Sequence, residues 1–227
     1  MIIFKNVTKI YYPNIVAVEK ATFEIKSGEF VIFVGRSGAG KSTILKLIRK
    51  EEIPTDGSIF YKNLEYKKIK GRAVVELRRK IGIIFQEFKL LEERSVYDNL
   101  RIPLEIMGFS NKEIIKKTEE LLRMADLWSH RKILAKYLSG GEKQKLATVR
   151  ALSTNPEVLL ADEPTGNLDP ISAMEIVELL KNINQQGVTI ILATHHKDVV
   201  NYLNKRVITL HHGRIVRDEN PGKYTLV

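Results

Sequence analysis

The stretch Gly35-Arg36-Ser37-Gly38-Ala39-Gly40-Lys41-Ser42 constrains this chain more than any other. A glycine, four residues and then Gly-Lys-Ser is the phosphate-loop pattern. Phe30 to Val34 ahead of it is a continuous apolar run, which predicts a buried strand, and Thr43 to Ile48 behind it predicts the opening of a helix. Glycines let the backbone curl so that successive N–H groups converge on phosphate oxygens, and the helix N-terminus adds its positive dipole end. In such a loop the lysine, here Lys41, reaches the β- and γ-phosphates, and the hydroxyl at Ser42 is a ligand for Mg²⁺. Residues Gly35 through Thr43 are therefore the expected nucleotide contacts. A glycine-rich turn with a chance Lys-Ser would not explain both flanks.

The chain has 227 residues, enough for one large domain or a core with subdomains. It has no cysteine, which excludes a disulfide frame and a Cys-ligated metal site. No apolar run approaches the roughly 20 residues that span a bilayer. The N-terminal Met1-Ile2-Ile3-Phe4-Lys5-Asn6 lacks a signal-peptide layout, so a cytoplasmic location is expected. Net charge is +10, with basic residues concentrated from Lys62 to Lys80 and not interleaved with aromatics in a stacking pattern. That pattern favours a solvated face, near lipid headgroups, over specific nucleic-acid binding.

Residues 2–11 alternate weakly and predict an edge strand; Ala21 to Ile25 alternates better, and Ser27-Gly28 marks a turn. Tyr11 and Tyr12 each suit either stacking on a base or packing on a sheet. Pro54 to Ser58 is a turn signal. Ile81 to Phe85 is a short apolar run with Gln86 at its end, and a polar amide at the end of a buried strand is where ligands lie in α/β sheets. Ser110 with Glu113 predicts a capped helix over 110–128, with Ile114, Ile115, Leu121, Leu122 and Ala125 on one apolar face. Ser139 with Glu142 predicts a second capping box. Gly140 and Gly141 inside it leave backbone N–H groups uncovered, which suits either an anion-binding helix end or a plain glycine-rich cap.

Val158 to Ala161 predicts a buried strand delivering Asp162-Glu163. Adjacent acids at a strand end are costly unless they meet cations or solvent. Asp162 is placed to hold Mg²⁺, directly or through water, and Glu163 to orient or deprotonate an attacking water. Asp169-Pro170 opens a helix with Ile171, Met174, Val177 and Leu180 on one side, read as core packing. Val188 to Thr194 predicts a strand ending at His195-His196, where a histidine contacts the γ-phosphate or caps the next helix. Arg206 to Val216 predicts a closing hairpin.

Taken in order, the phosphate loop, Gln86, Leu138-Ser139-Gly140-Gly141-Glu142, Val158 to Glu163, Asn167-Leu168-Asp169 and His195 resemble the nucleotide-binding domain of ABC ATPases over essentially the whole chain. The resemblance implies an α/β P-loop NTPase fold with a RecA-like parallel core, an N-terminal antiparallel β subdomain and an α-helical subdomain. It implies a single domain over 1–227, with 1–85 and 158–227 as core and 86–157 as the helical part. It also implies ATP and Mg²⁺ as cofactors and an ATP-dependent homodimer in which Ser139, Gly140, Gly141 and Glu142 bind the γ-phosphate held by the other subunit. Tyr11 is then the base-stacking residue. Gln86 joins Ser42 and Asp162 at the metal, Glu163 is the general base, and His195 is the switch histidine. His196 stands where many members carry Asp.

Phe85 to Leu91 and the tail from Ala193 to Asp218 resemble the cell-division branch of that family more narrowly, although Glu87 departs from the Asp expected there. That branch implies peripheral attachment to the inner face of the cell membrane through an integral permease-type partner, controlling peptidoglycan hydrolases. Lipoprotein-release and macrolide-export relatives share Asp162 to Asp169 and stand as the alternative. A DNA-repair ATPase is disfavoured because no sustained heptads separate the loop from the signature, and a tandem translation-type ATPase because there is one phosphate loop.

Overall fold

Two kinds of apolar pattern sort the strands into two sheets: alternating near the N-terminus, continuous in the middle of the chain. The computed structural model describes residues 1–225. In chain order it runs β1 (Ile2–Tyr11), β2 (Ile15–Ile25), β3 (Phe30–Val34), α1 (Lys41–Ile48), β4 (Asp56–Tyr61), β5 (Leu64–Glu65), α2 (Arg72–Arg79) and β6 (Ile81–Ile84). Then come α3 (Val96–Ile106), α4 (Asn111–Met124), α5 (Gly140–Leu152), β7 (Val158–Asp162), α6 (Pro170–Gln185), β8 (Thr189–Ala193), α7 (Lys197–Leu203), β9 (Arg206–His211) and β10 (Arg214–Glu219).

The antiparallel sheet has the order β2-β1-β4-β5, and the second sheet β10-β9-β3-β8-β7-β6. From β9 to β6 every pairing in the second sheet is parallel, and β10 closes it as an antiparallel edge. The expected parallel core and antiparallel subdomain are both present. One expectation is corrected: β1 is not an edge strand, because β4 pairs along its other side, Ile2 opposite Tyr61 and Phe4 opposite Ile59. The turn signal at Pro54–Ser58 masked the start of that strand.

The pleat of β3 divides the core in two. Phe30, Ile32 and Val34 face the layer formed by the later helices, while Val31 and Phe33 face α1 and the antiparallel sheet. Phe23 joins the two sheets: it stacks on Phe4 at 4.4 Å between ring centroids and meets Phe33 edge-on at 5.4 Å. α4 carries the predicted capping box, with Ser110 Oγ accepting from Glu113 N–H and the Glu113 carboxylate from Ser110 N–H. Helices α2 and α3 were not anticipated; α3 is capped by Ser95, whose Oγ accepts from Asp98 N–H at 2.9 Å.

Two core assignments are corrected. Ile115 is exposed, being turned about 100° round α4 from buried Ile114. Ile171 is 76% exposed although Val177 and Leu180 are buried. Residues spaced strictly by three drift about 60° per step, so Ile171 and Leu180 stand on opposite sides of α6.

β6 approaches α5 so closely that a Cβ on Gly82 would lie 2.6 Å from the backbone carbonyl oxygen of Ala151. Gly82→Ala should therefore destabilise the fold by about 1–3 kcal/mol, read as a lower urea midpoint with an unchanged slope.

Candidate active site

The strand order brings the C-terminal ends of β3, β8, β7 and β6 to one edge. Those ends carry, respectively, the 35–42 loop, His195, Asp162-Glu163 and Gln86. Open α/β sheets bind ligands at this edge. A cleft of about 730 Å³ lies there, lined by Arg36, Ser37, Gly38, Gly40, Lys41, Ser42, Thr43, Gln86, Asp162, Glu163 and His195. Gly35 and Ala39 form the loop's inner side: a Cβ at Gly35 would sit 2.5 Å from Leu210 O, and Ala39 is buried.

The loop is built for bare backbone. Gly40, at φ 104°, ends it in the left-handed region as the N-cap of α1, and a Cβ there would meet Ala17 O at 2.3 Å. No side chain caps α1 and its first turn holds no acid, so its leading N–H groups and dipole end face the cleft unopposed.

Lys41 is almost wholly buried; its ammonium donates to Gly35 O at 2.8 Å and Arg36 O at 3.3 Å, and lies 3.5 Å from Glu163 Oε1. Ser42 Oγ donates to Asp162 Oδ1 at 3.1 Å. Burial holds the Asp162 carboxyl above its ordinary pKa, and the negative charge of Glu163 adds to that, against the pull of the Ser42 hydrogen bond and of Lys41.

Glu163 has a positive φ of 47°, a conformation costly for a side-chain-bearing residue. Its N–H donates to Ala193 O at 2.9 Å, extending the β7–β8 ladder. The twist aims its carboxylate at His195, with Oε1 2.9 Å from Nδ1 and Oε2 accepting from the His195 N–H at 3.3 Å. His196 is the residue that caps α7, without a side-chain hydrogen bond. Gln86 Nε2 donates to Asn167 Oδ1 at 3.2 Å and packs so closely on Gly166 that a Cβ there would meet it at 3.0 Å.

Four expected residues lie elsewhere. Ser139, Gly140, Gly141 and Glu142 are absent from the cleft lining and form the first turn of α5. Ser139 and Glu142 complete their capping box, with Ser139 N–H donating to Glu142 Oε2 at 2.8 Å, and this hydrogen bond leads the lowering of the Glu142 pKa. The two glycines divide their work. Gly141 is buried where α5 meets α6, so tightly that a Cβ would strike Ser172 Oγ at 2.6 Å, while Gly140 is exposed.

Tyr11 pairs with Ile15 where the β1–β2 hairpin turns, and Lys9 Nζ lies 5.0 Å from its ring centroid. Ile15, Val16 and Ala17, rather than Tyr11, line the cleft, and Tyr12 is 96% exposed. Sequence reading passed over that apolar wall and over Phe85, Lys89 and Tyr224, which also line it. Phe85 and Lys89 flank Gln86 and were within reach of the motif, whereas nothing local in the sequence marks Tyr224.

A strand edge bearing a phosphate loop and two acids defines the P-loop ATPase class of site. The family model described as ABC transporter matches residues 18–166, and the chain belongs to that family. It is 43% identical over 224 residues to the cell division ATP-binding protein FtsE of Bacillus subtilis strain 168, covering 99% of this chain and 98% of the relative. Against FtsE of Mycobacterium tuberculosis strain H37Rv it is 42% identical over 225 residues, with the same coverage. A dimeric ATP-binding cassette solved in a post-hydrolysis state with ADP and Pi superposes with a TM-score of 0.87 at 35% identity, covering 99% of this chain and 100% of that one.

Asp162→Asn removes a partly buried charge that Glu163 opposes. The ligand-free protein should melt higher, by about 2–4 °C for each kcal/mol recovered, while ATP affinity in the presence of magnesium falls; calorimetry with and without ligand reads both.

Proposed function

We propose that this chain is the ATP-binding and ATP-hydrolysing subunit of a membrane complex acting in bacterial cell division. It sits on the inner face of the cell membrane against an FtsX-like integral partner and regulates peptidoglycan hydrolysis outside. The catalytic reading is carried by the convergence of Lys41, Ser42, Asp162, Glu163 and His195 on one cleft. The cell-division reading rests on the near-complete overlap with FtsE relatives. Residues 1–227 work as one ATPase domain, with 86–157 as its helical part.

ATP lies with its phosphates on the 36–43 loop. The α1 N–H groups and Lys41 stabilise charge on the phosphoryl oxygens. Tyr11, outside the cleft lining but paired with cleft-lining Ile15, is the residue that stacks on the base. Glu163 accepts the proton of the attacking water, and His195 Nδ1 holds that carboxylate in place. Mg²⁺ fits the donor set: Ser42, Asp162 and Gln86 offer hard oxygen ligands, and the desolvated Asp162 carboxylate favours a cation beside it. Among the described residues no cluster of three acidic, His or Cys side chains forms an all-protein cage, in keeping with an ion that retains water and phosphate ligands. When bound, the ion withdraws charge from the phosphoryl oxygens.

The exposed start of α5 is the complementary half of the site, offered to a second copy of the chain. Two copies arranged about a two-fold axis enclose two ATP molecules.

Glu163→Gln should keep ATP binding while hydrolysis falls about 10²–10⁴-fold; full turnover would remove Glu163 from the role of base. Lys41→Ala should lose ATP affinity in calorimetry. With ATP, the Glu163→Gln chain should double its mass in light scattering. Adding Gly140→Asp, at an exposed position, should abolish that dimer while leaving the melting temperature unmoved. The Glu163→Gln chain with ATP, used as bait on bacterial membranes, should retain an FtsX-like protein; retention of a different permease would overturn the cell-division reading.

A further inference from the structure

Beyond β10 the described chain turns back instead of leaving the fold. Gly222 N–H donates to Lys205 O at 2.9 Å, and Tyr224 N–H donates to Asn201 Oδ1 at 3.2 Å. Gly222 is buried, and a Cβ on it would lie 2.6 Å from the Cβ of Val207, so the tail is seated on β9. Asn201 belongs to α7, the helix that begins directly after His195-His196. The Tyr224 ring packs on the apolar layer that contains Val199, Val200 and Leu203. Tyr224 also lines the cleft, together with Arg36, Lys41, Glu163 and His195.

We infer that residues 220–225 form a strap holding Tyr224 over the Glu163 end of the nucleotide cleft, where its ring acts as a positioning residue for hydrolysis. This rests on the nucleotide reading of the cleft. Glu163 is already held by Lys41 at 3.5 Å and by His195 at 2.9 Å, and its side chain is 14% exposed. Tyr224 adds an apolar wall that limits bulk water around the carboxylate and the water it orients. The phenol is itself sensitive to this place: burial raises its pKa first, the charge of Glu163 adds to that, and Arg36 opposes it. The strap is anchored at Asn201 on α7, the helix that follows His195-His196 in the chain.

A plain hydrophobic seal would cost stability when removed but would not separate catalysis from binding. Steady-state hydrolysis by the full chain therefore decides, comparing Tyr224→Ala and Tyr224→Phe with wild type. For Tyr224→Ala, kcat should fall on the order of tenfold with KM for ATP held within about twofold. Tyr224→Phe should restore at least about half of kcat, because the ring and not the hydroxyl forms the wall. Wild-type or higher kcat in Tyr224→Ala, a KM change as large as the kcat change, or no rescue by Tyr224→Phe each overturns the proposal. If Tyr224→Ala does not fold, Tyr224→Trp in the Glu163→Gln background replaces it: ATP should shift its emission beyond any change from Trp128. Unchanged emission while calorimetry shows ATP bound overturns the strap alone. Absence of ATP binding to the wild-type chain overturns the nucleotide reading and the strap with it.

Discussion

The ammonium of Lys41 is the interaction on which the site depends. It stands almost fully buried between two loop carbonyls and the Glu163 carboxylate. Without it two adjacent acids would share a strand end with no buried cation between them, a placement that desolvation penalises. The loop reaches this arrangement only because Gly35 and Gly40 allow backbone to pass within contact of Leu210 and Ala17. Those two neighbours belong to different sheets, so the loop is clamped by the packing of one sheet on the other. The Phe4–Phe23–Phe33 cluster that joins the sheets thus supports the site from a distance.

Glu163 shows where the fold holds local strain. Its positive φ, its closeness to Asp162 and the raised pKa of that neighbour are each unfavourable in isolation. All three follow from ending β7 with two acids and turning the second out of the strand toward His195. A strand that simply stopped at Asp162 would be easier to fold, but its second carboxylate would not meet the imidazole. Strain of this kind persists only where surrounding contacts over-determine it, and here the ladder bond to Ala193 and the contacts to His195 do so.

Much of this was legible in the sequence because the parallel strands are short apolar runs that end in residues lining the cleft. The loop, Gln86, Asp162, Glu163 and His195 could be placed at strand ends, and the strand order carries them to one edge. Capping boxes at Ser110 and Ser139 likewise fixed helix starts, since both reciprocal hydrogen bonds are local. What escaped depends on distant partners. The interior position of β1 needs β4, the burial of Gly141 needs Ser172, and Tyr224 reaches the cleft only after the tail folds back on α7 and β9. Ile171 escaped for a different reason: spacing by three resembles a face over one turn but drifts around the helix over three.

The separation of the two motifs carries the last step. A helix N-terminus with an exposed glycine and a completed cap is stable by itself, so nothing in the monomer requires the α5 start to face solvent with Gly140 bare. The cleft, in turn, presents the α1 N–H groups and Lys41 from the loop side. An anion with several charged oxygens placed there would be neutralised on one side and left to water on the other. In the proposed dimer, two copies related by a two-fold axis would bring each exposed α5 start against the other copy's open wall, and both halves would then be satisfied at once. The cap that makes α5 stable alone also fixes the direction of its free N–H groups, which is the arrangement that the proposed two-fold pairing requires.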